Sequence, residues 1–398
     1  MTDLSTVLIA GAGLGGLCLA QGLRKAGIDA VVLERDTSPN TRGQGHRVHI
    51  DSRGEAALRS CLPPALYDLY EGTCGQPSER FMLISAEGPR LEEVPVPPVP
   101  GGSTTIRAGR AVSRQTLREI LLADLDDTVL FGKRLVGYRH EEGGVRARFA
   151  DGTSYLGDLL VGADGIGSAV RRQLLPHAEL ADVGIRWIGG KSPISKEITS
   201  ALPEGLSRAF AAVTGMRPAM LVGYMRFATH PNEAGTRSGV RLTESDDYVM
   251  WAITIQTGDL PHADAELAAM SGQDLFGVAR RLAGTVHPVM RDIVGHGRPE
   301  QTFFLQLGSS VPVEAWPASN VTLLGDAIHA MPPSLGSGAN TALADAASLT
   351  AGLAAVRQGH LSLLTAVAEY ETDMLTRGFT AVNASVNAID TVARRIVS

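Results

Sequence analysis

Gly11-Ala12-Gly13-Leu14-Gly15-Gly16, with a carboxylate following at Glu34, is the constellation whose types and spacing most directly imply chemistry. A G-x-G-x-x-G between an apolar run and a helical segment gives a tight turn, a close approach of backbone to a pyrophosphate, and close helix–strand packing. The N–H groups that open the helix, beginning near Leu14, and the partial positive charge there favour that anion. Glu34 ends the next apolar run, where a carboxylate can take both hydroxyls of a ribose. Together these residues read as a dinucleotide site. A plain glycine turn in an ordinary α/β unit would leave Glu34 and the third glycine unexplained. Arg114 follows Ser113 in the first turn of a predicted helix, where a cation opposes the helix dipole and calls for an anionic partner such as phosphate. The run Arg42-Gly43-Gln44-Gly45-His46-Arg47 could equally steady a phosphate or an anionic ring, or be a solvated loop. His46 and His49 lack further ligands nearby, and Cys18, Cys61 and Cys74 are too scattered for a zinc site or a disulfide framework, so no metal is expected.

The elements that must position these residues can be read from apolar periodicity. Val7–Ala10 is a short buried strand, Leu17–Ala26 a helix with Gly27 as its left-handed cap, and Ile28–Leu33 a second strand. Asp51–Leu69 is helical with a break at Pro63-Pro64, and Val94–Gly102 is a proline-rich, semi-rigid loop. The helix after Ser113 carries Leu117, Ile120, Leu121 and Leu125 on one face. Val129–Tyr138, Val145–Phe149 and Ser154–Leu156 read as a small antiparallel layer turning at Asp151-Gly152. Leu159–Val161 is another buried strand, and it runs into Gly162-Ala163-Asp164-Gly165 with Ser168 and Arg171 beyond. Between Leu180 and Phe303 the runs Met220–Phe227 and Tyr248–Ile255 imply an antiparallel sheet, with helix between Ala263 and Leu282. The βα texture then resumes at Val321–Leu324, Gly325-Asp326-Ala327 and His329, followed by Pro332-Pro333, Gly336–Asn340 and two closing helices.

The expected fold is α/β. A Rossmann-like nucleotide-binding domain spans 1–179 and 304–398, the C-terminal helices included, with an inserted antiparallel sheet lobe at 180–303 to which 75–105 could contribute. The 398 residues suffice for this. A net charge of −6 gives no basic footprint, which argues against nucleic acid as a partner. No apolar run approaches the length of a bilayer span, and no targeting segment is recognisable at the N-terminus, so a cytoplasmic protein is expected.

Three separated pieces fit one family: Gly11–Gly16 with Glu34-Arg35, Asp164-Gly165 with Ser168 and Arg171, and Gly325-Asp326-Ala327 with His329, Pro332 and Gly336–Asn340. In order and spacing, over essentially the whole chain, the sequence resembles the single-component FAD-dependent aromatic hydroxylases, the group of p-hydroxybenzoate hydroxylase and the tetracycline-inactivating monooxygenase. The resemblance implies a non-covalent FAD held by Gly11, Gly13, Leu14, Gly15 and Gly16 at the pyrophosphate. Glu34 would meet the adenosine ribose, Arg35 would lie beside the adenine, and Leu135 near it through its backbone. Arg114 would contact the phosphate or ribityl part, Arg47 is a further candidate for cofactor binding, Asp164 would contribute to FAD or nicotinamide binding, and Asp326 would bind the ribityl chain. Pro332, Gly336, Gly338, Ala339 and Asn340 would lie along the isoalloxazine edge, where N–H groups opening the last-but-one helix would stabilise negative charge on the reduced ring. His329 reads as structural rather than as a proton carrier.

In that family NADPH or NADH reduces FAD, dioxygen adds at flavin C4a, and one oxygen passes to an organic substrate. No second nucleotide fingerprint occurs here, so the nicotinamide would dock transiently. A phenolic or polycyclic small molecule is the expected substrate, and Tyr224 or Arg226 could anchor a phenolate, although core or surface packing explains both equally well. The apolar stripe of the closing helix reads as core or dimer surface, so a monomer or a homodimer is expected. A reductase of the same fold and a non-catalytic flavin-binding protein stay open as alternatives. A flavin-dependent halogenase is disfavoured because Trp187, Trp251 and Trp316 stand isolated.

Overall fold

Five short strands pair in parallel, in the order Val321–Leu323, Leu159–Gly162, Thr6–Ala10, Asp29–Leu33 and Val129–Leu130. These belong to a computed structural model that describes residues 4–39, 45–75, 80–85, 91–93, 109–201, 209–214, 217–244, 246–260, 262–284 and 288–397. The proline-rich stretch and Arg42-Gly43-Gln44 lie outside the described residues. Leu8 stands opposite Val31 on one side and Leu160 on the other, and all but a few side chains of this sheet are buried. Continuous burial on both faces is what near-continuous Val/Leu/Ile runs in a parallel sheet require. The helix Leu14–Lys25 covers it, and Ser337–Arg357 packs on that helix and on Ser52–Cys61. Parallel register sends the carboxyl ends of the central strands to one edge. Gly11, Glu34, Asp164 and Gly325-Asp326 all leave the sheet there, the edge at which ligands meet doubly wound folds.

A second, seven-stranded sheet runs in the order Phe303–Ser310, Leu180–Pro193, Tyr248–Gln256, Ala219–Met225, Ala209–Thr214, Arg80–Ser85 and Leu91–Glu93. Every pairing is antiparallel except that of Ala209–Thr214 with Arg80–Ser85. Alternation divides its residues between two faces. Met220, Val222, Tyr224, Trp251, Ile253 and Ile188 share a buried core with residues of the helices Gly272–Ala283 and Pro288–Gly295. The opposite face, carrying Phe210, Gly223, Met225 and Tyr248, turns toward an antiparallel ribbon formed by Arg47–Asp51 and Gly109–Ser113. That ribbon also packs on the helices Ser52–Cys61 and Ser337–Arg357.

Two sequence expectations are corrected here. Val129–Tyr138 is not one strand of the small antiparallel layer. Gly132, at φ 75°, breaks it, so that Val129–Leu130 joins the parallel sheet and Leu135–Glu141 pairs with Gly144–Phe149 in the three-stranded layer. Phe303–Ser310, expected to return the chain to the nucleotide fold, instead edges the large sheet against Leu180–Pro193.

Candidate functional site

The glycine turn is shaped by contacts that admit no side chain. Gly11 has φ 107°, and a Cβ there would lie 2.4 Å from the Ala163 carbonyl oxygen, so the turn presses directly on the strand end that leads to Asp164. Gly13 caps the Leu14–Lys25 helix with no side-chain hydrogen bond, and a Cβ on it would meet no atom within 4 Å. One glycine is therefore demanded by the fold, and the other faces outward beside free helix N–H groups. Glu34 is buried beneath the turn, accepting the Ala12 N–H at 2.7 Å and the Asp36 N–H at 2.9 Å. A carboxylate has about four acceptor sites, so these two bonds leave capacity for hydroxyl donors. The Lys133 N–H donates to the Glu34 carbonyl at 2.7 Å, which lays the segment leading to half-buried Leu135 alongside Glu34 and exposed Arg35. Arg118 reaches the turn as well, its Nε donating to the Ala12 carbonyl at 3.0 Å.

The second and third motifs are tied to each other. Ser168 Oγ accepts the Arg171 N–H at 2.9 Å, and the Arg171 guanidinium donates to the carbonyls of Ile166 and Ala327, both at 2.8 Å. Asp164 Oδ2 accepts the Ala169 N–H at 2.7 Å, while its Oδ1 is buried with no protein partner. Asp326 is open to the space in front of the sheet rather than packed. Nevertheless desolvation raises its carboxyl above the usual range, against the pull of His329 and Arg114. A group both open and desolvated lies in a deep recess, and Arg114 is close enough to be felt there. A Cβ on Gly338 would stand 3.9 Å from Asp326 Oδ1, so the recess runs up to the start of the Ser337–Arg357 helix. That helix begins at Gly336 (φ 63°) with no side-chain cap, and the buried Ser337 Oγ has no partner. The Asn340 amide holds the turn in place: its Nδ2 donates to the carbonyls of His49 (2.8 Å) and Gly336 (2.9 Å), and its Oδ1 accepts the Asp51 N–H at 2.9 Å.

Residues 4–52 and 295–384 match the model of an FAD binding domain. Over 99% of both chains the fold superposes on a solved structure from Photorhabdus luminescens assigned as an FAD-containing monooxygenase, with 31% identity and a TM-score of 0.80. The chain belongs to the FAD-dependent monooxygenases. It is 29% identical to an FAD-dependent monooxygenase of Trichoderma harzianum, across 96% of this chain and 93% of that one. It is also 32% identical to a dual O-methyltransferase/FAD-dependent monooxygenase of Cercospora beticola, over 94% of this chain but 45% of the relative, and so spans about half the length of that protein.

The residues of this chain suit FAD. The open yet desolvated Asp326 and the uncapped start of the Ser337–Arg357 helix border the recess, and the glycine turn with its own uncapped helix comes up to it through Gly15, beside Leu324 and Ala342. Such groups are costly to leave unmatched and fit a long polar ligand. Pro332 is buried and Ala339 half-buried at the same end.

For Tyr224 and Arg226 the geometry favours packing over a substrate role, and it places Arg47 against the large sheet. The Arg47 Nε donates to the Tyr224 carbonyl at 3.0 Å and its guanidinium lies 5.8 Å from the Phe210 ring centre, on the ribbon side of the large sheet. Tyr224 points into the helix-packed core, where burial pushes its hydroxyl up to about 12. Arg226 lies over that ring, 5.8 Å from its centre, so neither of this pair faces the ribbon. Arg118 went unnoticed in the sequence, although its place one helical turn after Arg114 on the same face was a usable signal. Among the described residues no helix is long and apolar enough to cross a membrane, and no group of three or more His, Cys, Asp or Glu is placed to hold a metal ion.

Proposed function

We propose that the chain uses NAD(P)H and dioxygen to place an oxygen atom on a phenolic or polycyclic small molecule. The observation that carries this reading is that three motifs distant in sequence meet: the Gly11 turn presses on Ala163-Asp164, Arg171 bonds the Ala327 carbonyl, and Gly338 stands beside Asp326. When bound, FAD supplies the electron transfer and dioxygen activation that protein side chains cannot. The chain itself binds, orients and excludes water. Backbone N–H groups from Leu14 onward would hold the pyrophosphate, Glu34 would take the ribose, and Asp326 would fix the ribityl hydroxyls. The N–H groups of Gly338, Ala339 and Asn340 would lie where they can stabilise negative charge on the ring. Arg114, brought within electrostatic reach of Asp326, balances that carboxylate beside the phosphates.

The same reading keeps 1–179, apart from the strands Arg80–Ser85 and Leu91–Glu93, and the chain from Val321 onward as the cofactor fold. The large sheet, with Arg80–Ser85, Leu91–Glu93 and Phe303–Ser310, forms the substrate lobe. Its ribbon-side face, carrying Phe210, Ala212, Leu221, Gly223 and Met250, is the apolar wall offered to a planar substrate. The name of the Cercospora relative joins O-methyl transfer to monooxygenation. A hydroxyl placed on an aromatic ring is a methyl acceptor, which favours a phenolic product here.

The test is product mass spectrometry with NADPH, labelled dioxygen and a panel of phenols. One labelled oxygen atom per product supports the proposal. NADPH-dependent turnover that proceeds fully without oxygen would move the assignment to the reductase alternative.

A further inference from the structure

The Gly325-Asp326 turn rests on a carboxylate that cofactor binding does not use. Asp345, midway along the Ser337–Arg357 helix, is 0% exposed. Its Oδ2 accepts both the Gly325 N–H at 3.1 Å and the His329 Nε2 proton at 2.6 Å. Its Oδ1 accepts two bonds from Arg377 of the closing Leu363–Val397 helix, at 2.8 and 3.2 Å. A buried carboxylate with four donors is satisfied, and removing its charge leaves those donors unmatched. Burial alone would favour neutral forms throughout. The Asp345 charge nonetheless draws His329 toward its protonated form, and His329 and Arg377 hold the Asp345 carboxyl below its usual range. Gly325 and His329 lie on either side of Asp326, and Asp345 grips both.

We propose that Asp345 is a positioning residue for the cofactor: by holding the Gly325 amide and the His329 ring it sets the depth of Asp326 in the recess, and through Arg377 it ties that depth to the closing helix. The inference rests on the reading that Asp326 meets FAD. It predicts that Asp345 acts on FAD affinity through Asp326 rather than independently, which a merely structural residue would not do.

The experiment is a double-mutant cycle on FAD affinity, measured by flavin fluorescence quenching on titrating apo-protein, with melting temperature recorded alongside. Asp345→Asn should weaken FAD binding about tenfold alone and less than about twofold in the Asp326→Ala background. Equal losses in both backgrounds would overturn the proposal even if the melting temperature falls. Unchanged affinity for Asp326→Ala alone would instead sink the placement of Asp326, and the proposal with it. If Asp345→Asn fails to fold, Arg377→Met, at a site 24% exposed, takes its place in the same cycle. A smaller loss, about threefold, is expected from it, again vanishing without Asp326.

Discussion

Gly11, Asp164 and Asp326 stand at the carboxyl ends of three neighbouring parallel strands, whereas Phe210, Leu221 and Gly223 stand along one face of antiparallel ones. The first region offers a ligand mainly backbone N–H groups and acids fixed by turns. The second offers side chains whose direction is set by alternation. Backbone recognition restricts residue type, because φ 107° or a carbonyl 2.4 Å from a would-be Cβ tolerates only glycine. Side-chain recognition on a sheet face tolerates many residues of similar size. The contrast predicts that substitutions at the strand ends act abruptly, and those on the sheet face act by degrees.

The abrupt case is Gly11. An L-residue at that backbone angle costs about 1–3 kcal/mol, and relief of the Ala163 contact must also displace the strand end carrying Asp164. Gly11→Ala should lower FAD affinity about a thousandfold, roughly 4 kcal/mol. Gly13→Ala sharpens the point. Its Cβ clashes with no protein atom, so the apo-protein should melt as the parent does while FAD binding still weakens. Equal apo-protein stability for both variants would break the distinction between a glycine the fold demands and one the ligand demands.

A second, smaller effect lies at the junction of the two regions. His46 is buried, its Nε2 donating to the Gln301 carbonyl at 2.8 Å, and its own carbonyl accepts the Arg114 N–H and the Tyr248 hydroxyl. Burial, followed by the nearby Lys191 charge, lowers its pKa to about 4. The unfolded chain takes up that proton near the ordinary value of about 6.5. Between these values the unfolded state binds more protons, so stability is full above 6.5 and falls as pH drops toward 4. The loss is about 3 kcal/mol. Melting curves from pH 4 to 7 should show this slope in the parent and a flatter one in His46→Asn. An unchanged slope would mean that the junction titrates elsewhere.

The same contrast explains what the sequence reveals. Gly11, Glu34, Asp164 and Asp326 are legible because each follows a buried strand in a pattern that few other folds need. The small layer turns at Asp151-Gly152 as expected, with Gly152 at φ 82°. The strand Leu180–Pro193 escapes notice, since Gly184, Gly189, Gly190 and Lys191 interrupt its alternation. Asp345 is equally silent. A carboxylate in the Ala-rich stretch Leu343–Ala347 reads as a solvated position until the closing helix brings Arg377 over it. Period-two arithmetic sorts Met220, Val222 and Tyr224 onto one face, but the choice of face belongs to a ribbon contributed from residues 47–51 and 109–113, which local pattern does not encode.

That choice of face yields the smallest expected effect and the most discriminating one. Val222 is buried against the helices, while its neighbour Leu221 is half-buried on the ribbon side, opposite Ala212 and Ala252. Val222→Ala removes two methyl groups from a packed core and should cost about 2 kcal/mol of stability, with KM for the oxygenated phenol unchanged. Leu221→Ala leaves no comparable cavity and should cost less than about 1 kcal/mol of stability. It removes apolar contact with a planar substrate, where one or two methylenes are worth about 1–3 kcal/mol, and so should raise KM severalfold. Tyr224→Phe, on the same face as Val222, should leave KM alone. If instead Tyr224→Phe raised KM and Leu221→Ala did not, the substrate would lie on the helix side. The ribbon would then be a strut rather than the floor of the pocket.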